Sequence, residues 1–138
     1  MGIVYDVKAI QIRALFEGIT RTTLKDCFEN QDKMLFIVMP GQIRKAIGKD
    51  KSNIKRVEAK IGQKIKIIEY SSNVLDFVVK IIFPLQVNDI SMENGIITVK
   101  GRDKKTNGLI IGSRAQNLRN TESIVQKYFS EVKEIKVE

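Results

Sequence analysis

The sequence runs through one pattern twice, and any fold must accommodate that repeat. Ile47-Gly48 returns as Ile111-Gly112, Asn53-Ile54-Lys55 as Asn117-Leu118-Arg119, and Glu58 as Glu122, each 64 residues on (48 to 112). The strand-like Ile65-Lys66-Ile67 returns as Ile135-Lys136-Val137, 70 residues on (65 to 135). A duplicated unit of this size within 138 residues predicts two small domains, residues 1–70 and 74–138, with the added residues lengthening the last helix of the second. Units of roughly 60 to 70 residues bury a modest share of their surface. A rigid tandem is therefore expected in preference to two independent beads.

Each half reads as helix, strand, strand, helix, loop, helix, strand. In the first, Val7, Ile10, Ala14 and Leu15 recur at helical spacing, with Phe16 and Ile19 widening the stripe. Thr23 to Phe28 alternates, which sets Leu24, Asp26 and Phe28 on one side and Lys25 and Cys27 on the other. A polar turn from Glu29 to Lys33 leads back through Leu35 to Met39. A short helix carrying Ile43, Ala46 and Ile47 inward ends at Gly48. Ser52 and Asn53 suit the start of the next helix, whose buried stripe is Ile54, Val57 and Ile61. Lys64 to Ile68 closes the unit as a half-buried strand. After Tyr70 to Asn73, the second half predicts a helix on Val74, Phe77, Val78 and Ile81, and strands over Leu85 to Met92 and Ile96 to Val99. The Asn94-Gly95 dipeptide between those strands suits a tight hairpin turn, since both residues tolerate positive φ. A helix over Gln116 to Phe129, with Leu118, Val125 and Phe129 buried, precedes the strand Ile135 to Val137.

Composition removes several functions. The chain has no histidine, hence no usual serine triad and no histidine-ligated zinc site, and no acidic cluster suggests carboxylate catalysis. A non-enzymatic protein without metal, cofactor or small-molecule substrate is expected. No apolar run approaches the roughly 20 residues of a membrane span, and no signal-peptide pattern opens the chain. With the lone Cys27, read as a small buried strand residue, this predicts a cytoplasmic protein without a membrane role.

The formal net charge of +8 is unevenly placed. Pro40 to Tyr70 holds nine Lys and Arg against three acids, and Lys100 to Asn120 holds six against one, so both windows span the inter-helical loops. A polyanion would meet two basic patches on an otherwise mildly acidic body.

A short helix ending in Ile-Gly, a four-residue loop and a basic helix opening on Asn followed by Ile or Leu resembles the KH domain. The element order is similar to the type II (prokaryotic-type) arrangement, with a helix and strand in front. The stretches Leu15-Phe16-Glu17, Thr20, Asp26-Cys27, Ala46-Ile47-Gly48-Lys49, Asn53-Ile54-Lys55, Ile68-Glu69-Tyr70 and Phe77 to Pro84 resemble archaeal NusA-like transcription factors, which consist of two tandem KH domains. The resemblance implies an α+β fold, each domain a three-stranded sheet with helices on one face. It also implies that about four single-stranded nucleotides are clamped at the loop.

Carried onto this chain, the RNA-binding residues would be Gly48, Lys49, Lys51, Asn53 and Lys55, and Gly112, Ser113, Arg114, Asn117 and Arg119. Ile43, Ile47, Ile54 and Ile65 would floor one base groove, and Ile111, Leu118 and Ile135 the other. Both loops depart from the family pattern at the fourth position, where Lys51 and Ala115 replace glycine. With Asp50 in the first loop and no acid in the second, the Arg114 loop is expected to be the stronger contact. The resemblance further implies nascent RNA as ligand and RNA polymerase as partner, during transcription elongation or termination. Two other readings remain open: a ribosome-associated or rRNA-processing KH protein, and a protein-interaction scaffold with degenerate loops.

Overall fold

The computed structural model describes residues 7–138, which divide into two compact units, one ending at Tyr70 and the other running from Ser71 to Glu138. In the first, α1 (Val7–Thr20) is followed by β1 (Leu24–Asn30), β2 (Lys33–Val38), α2 (Ile43–Ile47), α3 (Ser52–Ile61) and β3 (Ile65–Glu69). The second repeats the order with α4 (Val74–Ile82), β4 (Val87–Glu93), β5 (Ile96–Gly101), α5 (Lys104–Ile111), α6 (Gln116–Gln126) and β6 (Glu134–Val137). Each unit is thus α+β around one three-stranded sheet. In both, the first two strands are antiparallel and the third lies parallel to the second, in the orders β1-β2-β3 and β4-β5-β6. Parallel neighbours cannot be joined by a tight turn, so a helix pair makes each crossover. The inter-helical loop is the midpoint of that crossover. Among the described residues no helix is long and apolar enough to cross a membrane.

The registers carry the repeat into three dimensions. Met34 lies opposite Ile65 as Ile97 lies opposite Ile135. Both hairpins contain a one-residue bulge, at Lys25 between Leu24 and Asp26 and at Asn88 between Val87 and Asp89. A bulge inverts the side-chain alternation beyond it. Leu24 and Cys27 therefore face one core, opposite Val38 and Phe36, instead of the opposite faces that plain alternation predicts. Burial pushes the Cys27 thiol up from its ordinary value, which keeps it protonated. Side chains of α1 hold the first bulge: Leu24 donates its amide to Glu17 Oε2 at 2.9 Å, and its carbonyl accepts from Arg13 Nη2 at 2.6 Å. The hairpin turns also correspond. Asn94 and Gly95 adopt positive φ as expected, and so do Gln31 and Asp32, which the sequence marked only as polar.

Three expectations change. The inward stripe of α1 is Ile12, Phe16 and Ile19; Ile10 and Ala14 are exposed, and the Val7 side chain lies outside the described residues. Phe16 fixes this phase, because its ring stacks on Phe36 at 4.1 Å between centroids. Second, burial in the first sheet extends beyond the residues that pack with Phe16. Phe36 and Val38 point into the core with Phe16, yet Leu35, Ile37 and Ile68 are also fully buried. Third, α6 ends at Gln126 and has 11 residues against 10 in α3. The added length is a non-helical connection from Lys127 to Lys133 that buries Phe129 and Val132, with Phe129 5.8 Å from the fully buried Phe77.

The matched glutamates anchor the last strand of each unit. Glu58 Oε2 accepts from the Ile65 amide at 3.0 Å and Glu122 Oε2 from the Ile135 amide at 2.9 Å. A hydrogen bond to a charged acceptor contributes about 1.5–3 kcal/mol. Glu122→Ala is expected to lower the stability of the second unit by about 2 kcal/mol in urea denaturation, and Glu122→Gln, which retains an acceptor, by less. Two variants as stable as the parent would show that the carboxylate does not anchor β6.

Candidate nucleic-acid interface

The loop of each unit begins with a backbone conformation that only glycine holds easily. Gly48 has φ 77° and ψ 168°, Gly112 has φ 74° and ψ 175°, and each ends its helix by donating its amide, to Arg44 or Gly108. This region of backbone space is essentially closed to residues with a Cβ. Space forbids one as well. A Cβ on Gly112 would lie 2.6 Å from the Asn117 amide nitrogen, and one on Gly48 would lie 2.8 Å from Ser52 Oγ and 3.0 Å from the Asn53 amide.

Those asparagines fasten the turn. Asn53 Nδ2 donates to the Lys45 carbonyl at 3.0 Å, and Asn117 Nδ2 donates to the Leu109 carbonyl at 3.1 Å. Each ties the start of the second helix to the last turn of the first. Their amide nitrogens, expected at the RNA, are thus engaged within the protein.

Two left-handed residues complete each loop: Asp50 (φ 55°) and Lys51 (φ 61°), then Arg114 (φ 53°) and Ala115 (φ 59°). The fourth position takes positive φ in both loops, and an L-residue there costs about 1–2 kcal/mol. Lys51 and Ala115 also stand immediately before α3 and α6, at the cap position, and neither supplies a side-chain cap. Ser52, expected as a helix-starting cap, already lies inside α3. By contrast, Asn73 caps α4 through the Asp76 amide at 2.9 Å and Asp103 caps α5 through the Thr106 amide at 2.8 Å. The Thr106 amide, more than the nearby Arg102, holds the Asp103 carboxyl below the usual range. At α3 and α6 no side chain caps the helix start; the Ser52 and Gln116 amides turn back onto the Lys49 and Ser113 carbonyls, and the positive end of the helix dipole favours an anion there.

The side chains around the loops differ between units. Lys49, Lys51, Lys55, Ser113 and Arg114 are exposed and make no ion pair or side-chain hydrogen bond among the described residues. Arg119 is engaged, its Nη1 2.7 Å from Glu122 Oε2. Arg44 and Lys45, which the motif did not single out, are exposed in the last turn of α2, whereas the last turn of α5 has no basic residue. Their membership in the first basic window was the available signal. The cation balance consequently favours the Gly48 loop despite Asp50, contrary to the expectation from the loop residues alone. Of the apolar residues assigned to a groove, Ile43, Ile47, Ile54 and Ile111 are half-buried, while Ile65, Leu118 and Ile135 are core. The latter three are core residues with almost no exposed surface.

Fold and loops together define a protein of two repeated α+β modules, each presenting a glycine-hinged cationic turn between two helices. The solved structure of APE1850 shares this fold, with a TM-score of 0.76 at 21% identity over 97% of this chain and all of that one. No family model matches the chain. Three similar proteins carry one name, probable transcription termination protein NusA. That of Thermoplasma acidophilum is 32% identical over 85% of this chain and 83% of its own length. Those of Methanococcus vannielii and Methanocaldococcus jannaschii are each 30% identical, over 99% and 88% of this chain and 80% and 68% of their own lengths. The chain belongs to this archaeal family of NusA transcription termination proteins.

Loop strain is separable from loop function by substitution. Ala115→Gly is expected to stabilise the second unit by roughly 0.5–1 kcal/mol, since glycine removes the left-handed strain. Gly112→Ala is expected to destabilise it by about 2 kcal/mol or more. Thermal unfolding that moves in the opposite order would contradict this loop geometry.

Proposed function

We propose that this chain binds single-stranded RNA through two KH modules of the type II arrangement, residues 1–70 and 74–138, and acts on nascent transcripts during elongation or termination. The repeated helix pair, the mixed sheet and the family's name support this reading. The observation that carries it is the pair of glycine-hinged turns that leave α3 and α6 uncapped beside unpaired cations.

Phosphates are held passively at the helix starts and by side chains: Lys49, Lys51 and Lys55 at the first loop, Ser113 and Arg114 at the second, with Arg119 once it leaves Glu122. Arg44 and Lys45 add to the first. The half-buried Ile47, Ile54 and Ile111 receive the bases, and few aromatic residues are present to stack them. No covalent step takes place. RNA polymerase is the partner that this role requires.

If about five phosphates are neutralised, the logarithm of the affinity for single-stranded RNA falls against the logarithm of salt concentration with a slope near −3.5. A chain carrying Lys49→Asp, Lys51→Asp and Arg114→Asp is expected to bind at least about tenfold more weakly, with a shallower slope. Aspartate tolerates the left-handed conformation at position 51, so the loop itself is preserved. Unchanged affinity in that variant would move RNA to another surface, or leave the loops as a protein-interaction scaffold.

A further inference from the structure

The Gly112 loop does not account for its basic window. Only Arg114 and Arg119 lie near it; Lys100, Arg102, Lys104 and Lys105 sit at the opposite end of α5, where β5 runs into the helix. The repeat supplies an internal control. The corresponding stretch of the first unit, Met39-Pro40-Gly41-Gln42, carries no charge, while that unit places Arg44 and Lys45 beside its loop. The cations of the second unit have therefore been concentrated where the first has none.

Two of them, Arg102 and Lys105, border a cleft, and Lys104 adjoins it in the chain. The connection between α4 and β4, at Pro84 and Leu85, and the outward side of α5, at Lys105 and Leu109, enclose a cleft of about 320 Å³ with Arg102 on its rim. Exposed apolar groups stand at it: Leu109, which lines it, is 50% exposed, and Phe83, next to Pro84 in the chain, is 70% exposed. Lys104 and Lys105 hold no ion pair among the described residues. Arg102 makes only long contacts between exposed groups, 3.4 Å to Asp103 and 3.4 Å to Gln86. Apolar surface and an aromatic ring beside unpaired cations suit a base and its phosphate together. Position agrees, since α5 links cleft and loop, and Lys105 to Ile111 rises only about 9 Å along the helix.

We propose that this cleft is a second single-stranded RNA subsite, which takes the part of the strand that runs past the Gly112 loop along α5. Its bases lie against Phe83, Leu85 and Leu109, and its phosphates are met by Arg102, Lys104 and Lys105. The inference rests on the reading of the loop as an RNA clamp and extends it to a longer ligand than one loop of about four nucleotides can hold.

Binding of oligouridylates of about four and about twelve nucleotides to the full chain tests this at several salt concentrations. Lys104→Ala with Lys105→Ala is expected to reduce the salt slope for the longer RNA by about 1.4. Phe83→Ala is expected to weaken the longer RNA about fivefold or more. Both leave the shorter RNA unaffected, whereas Arg114→Asp weakens both lengths. The subsite is overturned if the longer RNA titrates the cleft variants like the parent while Arg114→Asp still weakens it. If Arg114→Asp also has no effect, the loop reading itself has failed. An oligoglutamate peptide that binds the parent and is lost on the cleft variants, with RNA indifferent to them, overturns the proposal in favour of an acidic protein segment.

Discussion

Everything the chain presents at its loops depends on a glycine and an asparagine five residues apart in each unit. The chain must leave one helix and enter another within a few residues, and Gly48 and Gly112 permit this by taking a conformation closed to other residues. The space where a Cβ would stand is occupied by Asn53 or Asn117, whose amide grips the carbonyl of Lys45 or Leu109. The turn is thus closed by the protein's own groups, and the second helix starts on a left-handed residue that cannot cap it. The start of each second helix thus carries positive potential and no side-chain cap.

The two units conserve backbone devices and vary charge. Both keep the strand bulge, the positive-φ hairpin turn, the glutamate that receives the last strand, and the glycine-asparagine closure. These fix the geometry of the crossover, and each would be hard to replace singly. Cations are free of that constraint. They cluster around the loop in the first unit and shift toward the far end of α5 in the second. One scaffold thereby offers two differently charged faces.

What the sequence disclosed and what it withheld follow from the same physics. The repeat, the element order, the two glycines and the Asn94-Gly95 turn were legible because each rests on a local requirement that few residue types satisfy. The phase of α1 was not, since Val7, Ile10, Ile12, Ala14, Leu15, Phe16 and Ile19 populate more than one stripe and only the stacking of Phe16 on Phe36 selects among them. The bulge at Lys25 was hidden because alternation carries no mark of an inserted residue. Lys127 to Phe129 read as the end of a helix because Phe129 falls at helical spacing, although its ring is buried from a non-helical connection. At the loops, the positive-φ glycines and the exposed cations were legible as such. That Asn53 and Asn117 fasten the turn was not legible, because an amide that binds a ligand and one that fastens a turn look alike in a sequence.

The central claim is that uncapped turns at Gly48 and Gly112 receive the phosphates of single-stranded RNA. The most direct measurement is an NMR titration of the isotope-labelled chain with a single-stranded oligonucleotide, following backbone amides. The account predicts that Gly48, Gly112 and the residues that open α3 and α6 shift first and furthest, saturating together with binding. Saturation by RNA while those amides stay in place, with shifts confined to other surfaces, would contradict it.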